Sequence, residues 1–494
     1  MADLSELVAA RREKLRRLKE RGVNPFAWGY SPTHRLEGIN RDFATTAETE
    51  DPREVRVCGR LVSWRDHGKS AFGHLEDATG RLQFYAKKDA LGEAAWTALA
   101  DLDVGDFLGV RGRVFRTRTK ELTVRMEEAT LLAKSLRPLP EKWHGLKDTN
   151  IRYRHRHLDL ASSPEARALF RARSAVISGI RRFLDDRGYL EVETPSLQPL
   201  YGGAEATPFT TRYESLDTTY YLRISDELYL KRLLVGGLDR VYEICKDYRN
   251  EGLDRTHAPE FTMIEFYQAY ADYNEMMTLV EELFRVVVTQ VKGEPRLTYQ
   301  GRQLDFSGPW PRISYVPALA GKLGYDPLAA KDADLRKSAE EARIPDAGKL
   351  PRTKLIDKLF TALVRDVTDG PAFVVDHPLE MSPLAKVHRS DPRLVERFQP
   401  VAAGLELGNS FSELNDPDEQ RRRFEAQQAL KAGGLSEAQV LDEEFLSAME
   451  VGMPPAGGVG LGVDRLVMLL SDATAIREVI LFPQLKPEAG GGTE

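Results

Sequence analysis

The segment Tyr248-Arg249-Asn250-Glu251, followed by His257, Phe261 and Glu265, places cationic, acidic and aromatic groups close together in the chain. It is flanked by two runs that alternate like strands, RVYEICKDY and EFTMIEFYQAY. Two such runs joined by a polar loop predict an antiparallel hairpin. Side chains two apart share a face, so the pattern puts Arg249 and Glu251 on one face, with Glu265 and Tyr267 aligned on the returning strand. A charged row in an otherwise apolar hairpin is costly to bury unless partners or a ligand satisfy it. A structural Arg–Glu ion pair and a site for a charged ligand both meet that requirement.

A second segment with chemical potential is AGGVGLGVDRLVMLL, residues 456–470. Its glycines at 457, 458, 460 and 462 permit close backbone approach. The spacing is not that of a dinucleotide fingerprint, and no Gly-Lys-Ser/Thr is present for a Walker loop. Arg465, at the start of the apolar helix that follows, is placed to meet a phosphate. Upstream, residues 164–188 predict an amphipathic helix carrying Phe170, Val176, Ile177, Ile180, Phe183 and Leu184, ended by Gly188 and followed by the strand YLEVE and Thr194-Pro195. In this order the three segments resemble motifs 1, 2 and 3 of the class II aminoacyl-tRNA synthetases. In that class motif 1 forms a dimer interface, so the resemblance implies a homodimer.

At 494 residues the chain is expected to hold two or three domains. With 30% charged and 42% hydrophobic residues it reads as a soluble enzyme. No apolar run approaches the roughly 20 residues needed to span a bilayer. The opening MADLSELVAARREKLRRLKERG predicts an amphipathic helix without a signal peptide's apolar core, and it contains acids that a transit peptide would lack. A cytoplasmic location is expected. Cys58 and Cys245 are isolated, which supports neither a disulfide framework nor a zinc site. Net charge is −6, so affinity for nucleic acid must come from local basic surfaces. The first helix, with Arg11, Arg12, Lys14, Arg16, Arg17, Lys19 and Arg21, is one candidate; a solvated face with intrahelical pairs accounts for it equally well.

The organisation expected is a helical lead-in over 1–50, five short strands with an intervening helix over 54–133, a basic connector over 134–163 and one large mixed domain over 164–490. The five strands predict a small barrel of the oligonucleotide-binding (OB) type. Such barrels stack bases on aromatics beside cations; Phe72 and Phe84 are the aromatics, and each is also a candidate for barrel core. The stretch from 272 to 395 reads as mostly helical. The fold class is α+β, with an N-terminal barrel and a catalytic domain built on an antiparallel sheet flanked by helices.

The strings RPLPEKWHGLKD, RYRHRHLDL, GGAEATPF, DELYLKRLLVGGLDRVYEI, YRNEGLDRTHAPEFTMIEFYQAYADY, GNSFSELNDPDEQ and GVGLGVDRLVMLL together resemble the class II lysyl-tRNA synthetases, from about residue 55 to 486. The resemblance implies ATP-dependent activation of L-lysine and its transfer to tRNA(Lys), with ATP as substrate and Mg2+ as cofactor. It implies that Glu227 and Glu265 hold the lysine α-ammonium, Arg249 and Asn409 the carboxylate, Tyr267 and Glu413 the ε-ammonium, with Gly203 closing the floor. It implies that Arg249 meets the α-phosphate, Glu251 reads adenine, Phe261 stacks on it, His257 reaches the outer phosphates and Arg465 lies near the γ-phosphate. Arg249 and Arg465 carry the catalytic role, because the reaction needs positioning and charge stabilisation rather than a nucleophilic side chain. Arg65, Phe72, Gln83 and Glu128 lie where the family reads the anticodon, which favours a stacking role for Phe72.

The chain departs from the family's pattern in places. Two acids seven residues apart usually bind magnesium; here Glu406 is one, and Gln399 stands at the other, a change expected to lower metal affinity. Ser225-Asp226 replaces Ala-Pro before Glu227, and KDY replaces the commoner RNF before motif 2. Other readings are an enzyme charging aspartate or asparagine, which would need a cation where Glu413 stands, and a synthetase-like paralogue that binds lysine or RNA without charging.

Overall fold

The computed structural model describes residues 4–46, 50–139, 148–432 and 439–486. Parts of the expected lead-in, connector and C-terminal end, including Lys142 and Lys147, lie outside the described residues. The chain divides into two compact units, Met1–Lys147 with His157–Ser162, and Asp148–Arg156 with Ser163–Glu494. Where the sequence reads as a poorly periodic connector, short helices run over Thr149–Arg154 and Arg156–Ser162.

The first unit opens with helix α1, Leu4–Glu20. Strands β1 (Glu54–Asp66), β2 (Ser70–Glu76), β3 (Arg81–Lys87), β4 (Phe107–Arg116) and β5 (Leu122–Ala133) close into a barrel in the order β1-β2-β3-β5-β4, with helix α2 (Glu93–Leu99) between β3 and β4. Strict alternation on β2 and β3 sends Leu75, Leu82 and Phe84 inward and leaves Phe72 and Tyr85 on the outer face. The basic run on α1 has a docking role that neither sequence reading anticipated. Lys14 pairs with Asp103 at 2.7 Å, Arg17 and Arg21 with Asp101 at 2.5 and 2.7 Å, and Arg11 donates to the Val104 carbonyl at 3.0 Å. These charges tie the helix to the segment that leads into β4.

The second unit begins with helix α3, Pro164–Asp185, capped by the Ser163 hydroxyl and opened by a proline at its first turn. Strands β6 (Leu190–Glu191), β7 (Arg240–Tyr248) and β8 (Glu260–Ala269) follow, with helix α4 (Glu227–Val235) before the β7–β8 hairpin and α5 (Tyr273–Lys292) after it. Then come β9 (Arg312–Ser314), helix α6 (Arg352–Phe360), β10 (Ala372–Pro378), β11 (Leu394–Ala402), β12 (Gly408–Ser412), β13 (Ala456–Gly462) and helix α7 (Val463–Ser471). The strands form one nine-stranded sheet, β9-β10-β11-β12-β13-β8-β7-β6, with the short strand Leu405–Glu406 paired to β11. It is antiparallel except at its two edges. The stretch from 272 to 395 is therefore less helical than expected, since it contributes β9 and β10 to the sheet; both are short, and β10 is buried on both faces, which hides the alternation.

One face of the sheet carries the main core. Tyr242, Ile264 and Phe266 pack there with Val176, Ile180 and Phe183 of α3 and with the apolar faces of α5 and α7. The other face, carrying Glu243, Asp247, Glu265 and Tyr267, is turned to a second layer that includes α4. Period-2 alternation in the hairpin thus separates core from chemistry residue by residue.

Candidate active site

The glycine-rich segment that sequence reads as a lead-in to a helix is itself a strand, β13. Its register explains the glycines. Tyr267 faces Gly458, Glu265 faces Gly460 and Met263 faces Gly462. A Cβ at Gly458 would lie 2.2 Å from both the Glu413 carboxylate and the Tyr267 ring, so only glycine lets those two groups meet across the strand. On its other side β13 pairs with β12, where Asn409 faces Gly460 and Phe411 faces Gly458. One row therefore reads Glu243, Glu265, Gly460, Asn409 across four adjacent strands, an anion-bearing side and an amide side separated by an empty position.

That emptiness is a cavity of about 430 Å³. Among its lining residues are Gly203, Glu227, Arg249, Glu265, Tyr267 and Asn409 at one end, and Glu251, His257, Phe261, Glu406 and Arg465 at the other. Gly203 adopts φ +86°, and a Cβ there would press on the Ser225 hydroxyl at 2.8 Å.

At the first end the acids are buried and interlocked. The Tyr267 hydroxyl donates to Glu265 Oε2 at 2.9 Å and Ser225 donates to Oε1 at 3.1 Å. Lys231, fully buried on α4, pairs with Glu227 at 2.5 Å and also with Glu413. Glu413 is not among the lining residues; its carboxylate lies over Gly458 beside the Tyr267 ring and is linked to Glu227 through that one ammonium. Burial pushes the Glu265 carboxyl up to about 7, with Asp247 and Glu227 adding to the rise. Burial likewise raises Glu227 and Glu413, and Lys231 opposes the rise in both. For Lys231 itself, burial disfavours the charge, but Glu227 and Glu413 outweigh burial and hold it ionised. Asn409 is oriented by Arg397, whose Nε donates to Asn409 Oδ1 at 2.7 Å and whose Nη1 donates to Met381 O and Ser382 Oγ.

The second end is loop-borne. The hairpin pairs only as far as Tyr248↔Glu260. Arg249 and Glu251, expected on a strand face, therefore lie in the connecting loop, and the charged row on the strand is made by Glu243 and Asp247 instead. The loop is polar and ends the ladder early, although the Arg249 amide still donates to Pro259 O at 2.9 Å. The Arg249 guanidinium lies 5.0 Å from the Phe261 ring centroid. His257 Nδ1 meets Asp254 at 2.8 Å, and Arg465 donates from Nη2 toward His257 Nε2 at 3.3 Å and from Nη1 to Glu406 O at 2.6 Å. That pattern assigns the proton to Nδ1. Asp464 is structural: it pairs with Arg173 of α3 at 2.5 Å and accepts from the Thr262 amide at 2.7 Å.

The metal residues divide. Glu406 lines the cavity and pairs with Arg365 at 3.2 Å, and Asp357 of α6 lines the same cavity. Gln399 is not among the lining residues; its amide oxygen lies 3.3 Å from Nε2 of buried His377. Sequence reasoning missed Lys231, Arg397, Asp357 and Arg365. Lys231 had a signal, a lysine one helical turn after Glu227; the others come from segments brought in by the sheet and α6.

On the barrel, Arg65 faces Phe72 and Phe72 faces Tyr85, with ring centroids of the two aromatics 4.7 Å apart. Gln83 shares that outer face and is held by Glu121 and Thr123, both at 2.8 Å. Phe84 is core. Glu128 lies beyond the β3–β5 pairing, opposite Arg111, with which it pairs at 2.8 Å.

Residues 148–486 match the family of class II tRNA synthetases (D, K and N), and residues 55–132 match the OB-fold nucleic acid binding domain of tRNA anticodon type. The chain is 48% identical to the lysine–tRNA ligase of Moorella thermoacetica over 98% of both chains. It is 52% identical to that of Aquifex aeolicus over 88% of this chain and 74% of the relative, and 46% identical to that of Carboxydothermus hydrogenoformans over 98% and 99%. With a glycine strand opening a cavity between acids and arginines, and with this likeness along nearly its whole length, the chain belongs to the lysine–tRNA ligases of the class II tRNA synthetases.

Proposed function

We infer that the protein activates L-lysine with ATP and passes the lysyl group to tRNA(Lys), and that the cavity beside β13 is where it does so. The observation that carries the reading is a cluster of buried acids, Glu227 and Glu265 on the wall with Glu413 beside them, at one end of a slot that also holds arginines. Free lysine presents two ammonium groups and one carboxylate, and Glu227 with Glu265, Glu413 with Tyr267, and Arg249 with Asn409 match them. A substrate ammonium reaching Glu413 and Tyr267 must extend over Gly458, where both groups lie, so side chains too short to reach them or carrying negative charge are disfavoured. Gly203 closes the floor beside Glu227.

Activation requires the lysine carboxylate to attack the α-phosphorus in line while charge builds on the phosphoryl oxygens. Arg249 touches both reactants, so it orients the carboxylate and stabilises the phosphate. Phe261 takes adenine on the ring face that Arg249 does not cover, Glu251 reads its edge, and His257 with Arg465 grips the outer phosphates. The residues present fit a magnesium ion, which Glu406 would hold as the protein carboxylate with Asp357 lining the same cavity. Magnesium bound there screens the phosphate charge. Arg365, paired with Glu406, supplies part of the same screening from the protein.

On the barrel, Arg65, Phe72 and Gln83 form an outward cation–aromatic–amide group suited to unstacked bases, and Glu128 contributes to anticodon reading from the neighbouring strand. We place the enzyme in the cytoplasm and propose a homodimer; the half-exposed Leu190 on the edge strand β6 is an apolar group a second copy would cover. Among the described residues no helix is long and apolar enough to cross a membrane. Pyrophosphate–ATP exchange measured with each amino acid tests the central reading: exchange driven by lysine alone is expected, and exchange driven equally by aspartate or asparagine, or by none, overturns it.

A further inference from the structure

Asp226 occupies the N-cap position of α4, where a carboxylate ordinarily accepts hydrogen bonds from the first free amides of the helix. It makes no such bond. Its side chain is fully buried, and among the described residues no donor reaches either oxygen. It is turned instead toward other acids: one oxygen each from Asp226, Asp247 and Glu265 all lie within 4.8 Å of one another. Asp247 Oδ2 is likewise without a donor. Two facing carboxylate oxygens with nothing between them repel, so something positive must occupy the gap.

We propose that this positive element is a proton, and that Asp226 acts as a neutral carboxylic acid donating a hydrogen bond to Glu265, which makes it a positioning residue for the α-ammonium subsite. The inference rests on the assignment of Glu265 to lysine given above. Its surroundings support a proton. Glu243, Cys245 and Asp247 face Asp226 from β7, Glu265 and Tyr267 from β8, and Glu227 and Lys231 belong to α4, with Glu413 behind them. Of the nearby cations, Arg223 pairs with Glu243 at 2.6 Å and lies 3.6 Å from Asp247, and Lys231 is held by Glu227 and Glu413; Arg249, over the Phe261 ring, acts on Asp247 by charge but donates no hydrogen bond to Asp226. Burial, reinforced by Glu265 and Asp247, drives the Asp226 carboxyl well above the ordinary range, the direction that favours its neutral form.

The two acids answer each other. The charge of Asp247 makes an ionised Glu265 harder to keep. A hydroxyl donated by Asp226 offsets that penalty. Asp226 and Asp247 therefore form a coupled pair, and the effect of losing one depends on the other.

The experiment measures lysine and ATP dissociation constants for the full-length protein and for Asp226→Asn, Asp226→Leu, Asp247→Asn and the Asp226→Leu/Asp247→Asn double variant at pH 6 to 8. Asn keeps a donor, so Asp226→Asn is expected to hold lysine affinity within about threefold. Leu removes the donor and is expected to weaken lysine binding about tenfold or more while leaving ATP binding unchanged, the size of one hydrogen bond to a charged group. In the Asp247→Asn background the Leu substitution is expected to cost less than threefold. Infrared difference spectra of the lysine-free protein against Asp226→Asn at pH 8, above the value for Glu265, supply an independent readout: a protonated carboxyl C=O band present in the protein and missing from the variant is expected. Equal effects of Asn and Leu, absence of the band, or a manganese ion bound between the three carboxylates after incubation with Mn2+ would overturn the proposal. Glu265→Gln is the control for the underlying assignment: if it leaves lysine affinity unchanged, the lysine reading of Glu265 fails, whatever Asp226 does.

Discussion

The two ends of the cavity are built on different principles. The end proposed for the amino acid is set on β8, β12 and α4, its acids are almost wholly buried, and each depends on a neighbour: Glu265 on Tyr267 and Ser225, Glu227 and Glu413 on Lys231. The nucleotide end hangs on the loop between β7 and β8, and His257 and Asp254 there are about half exposed. Discrimination among amino acids of similar size demands groups that cannot relax, whereas ATP brings its own charge and shape and can order a loop around itself. Rigidity is placed where the choice is made.

That contrast is open to test. Lys231→Met leaves Glu227 and Glu413 without their shared cation, and loss of one partner from a buried pair typically costs about 3–5 kcal/mol. The urea midpoint should fall accordingly, and an unchanged midpoint would mean the acids are not interdependent. Glu413→Gln should raise the KM for lysine roughly 30- to 100-fold, as expected for a lost charged hydrogen bond, and move the KM for ATP by less than about threefold. Comparable losses for both substrates would merge the two ends. His257→Ala, at the loose end, is expected to raise the KM for ATP by about three- to tenfold with no shift in the urea midpoint.

A pH measurement sharpens the comparison further. Glu265 and Asp247 are pushed up to about 7 and about 6, in both cases mainly by burial. A carboxyl raised on folding contributes stability that is full below its unfolded value near 4 and is lost as pH rises through its folded value. The increment in melting temperature produced by saturating lysine should therefore grow between pH 5 and 8, as bound ammonium compensates the newly ionised acids. A pH-independent increment would remove these groups from the lysine site. The smallest effect is expected at Gln399: because its amide is turned to His377, Gln399→Glu should leave the magnesium concentration for half-maximal activity within about twofold. A lower requirement would restore position 399 to the metal.

The sequence made the barrel, the hairpin and the long helix α3 legible, because each depends on local alternation or on apolar spacing. It was less able to place Arg249, since a polar loop at the end of a strand looks like more strand until the pairing partner is known. The glycine segment was misread for a related reason: without side chains it has no alternation, so strand β13 was invisible although its purpose, to leave room, was not. Lys231 was hidden by an ordinary-looking i to i+4 pair with Glu227, whose second partner lies far along the chain. The fate of Gln399 was not accessible at all, because it is decided by His377 on a neighbouring strand.

The ammonium of Lys231 carries one more implication. An ammonium already stands beside the pocket, outside its lining, supplied from within the chain. An uncharged mimic such as norleucine therefore does not strand a naked anion at Glu413; it merely leaves unfilled some of that carboxylate's capacity to accept hydrogen bonds. Selectivity against such mimics is accordingly graded rather than absolute, and an inhibitor gains more from an extra donor at the far end of its side chain than from extra charge.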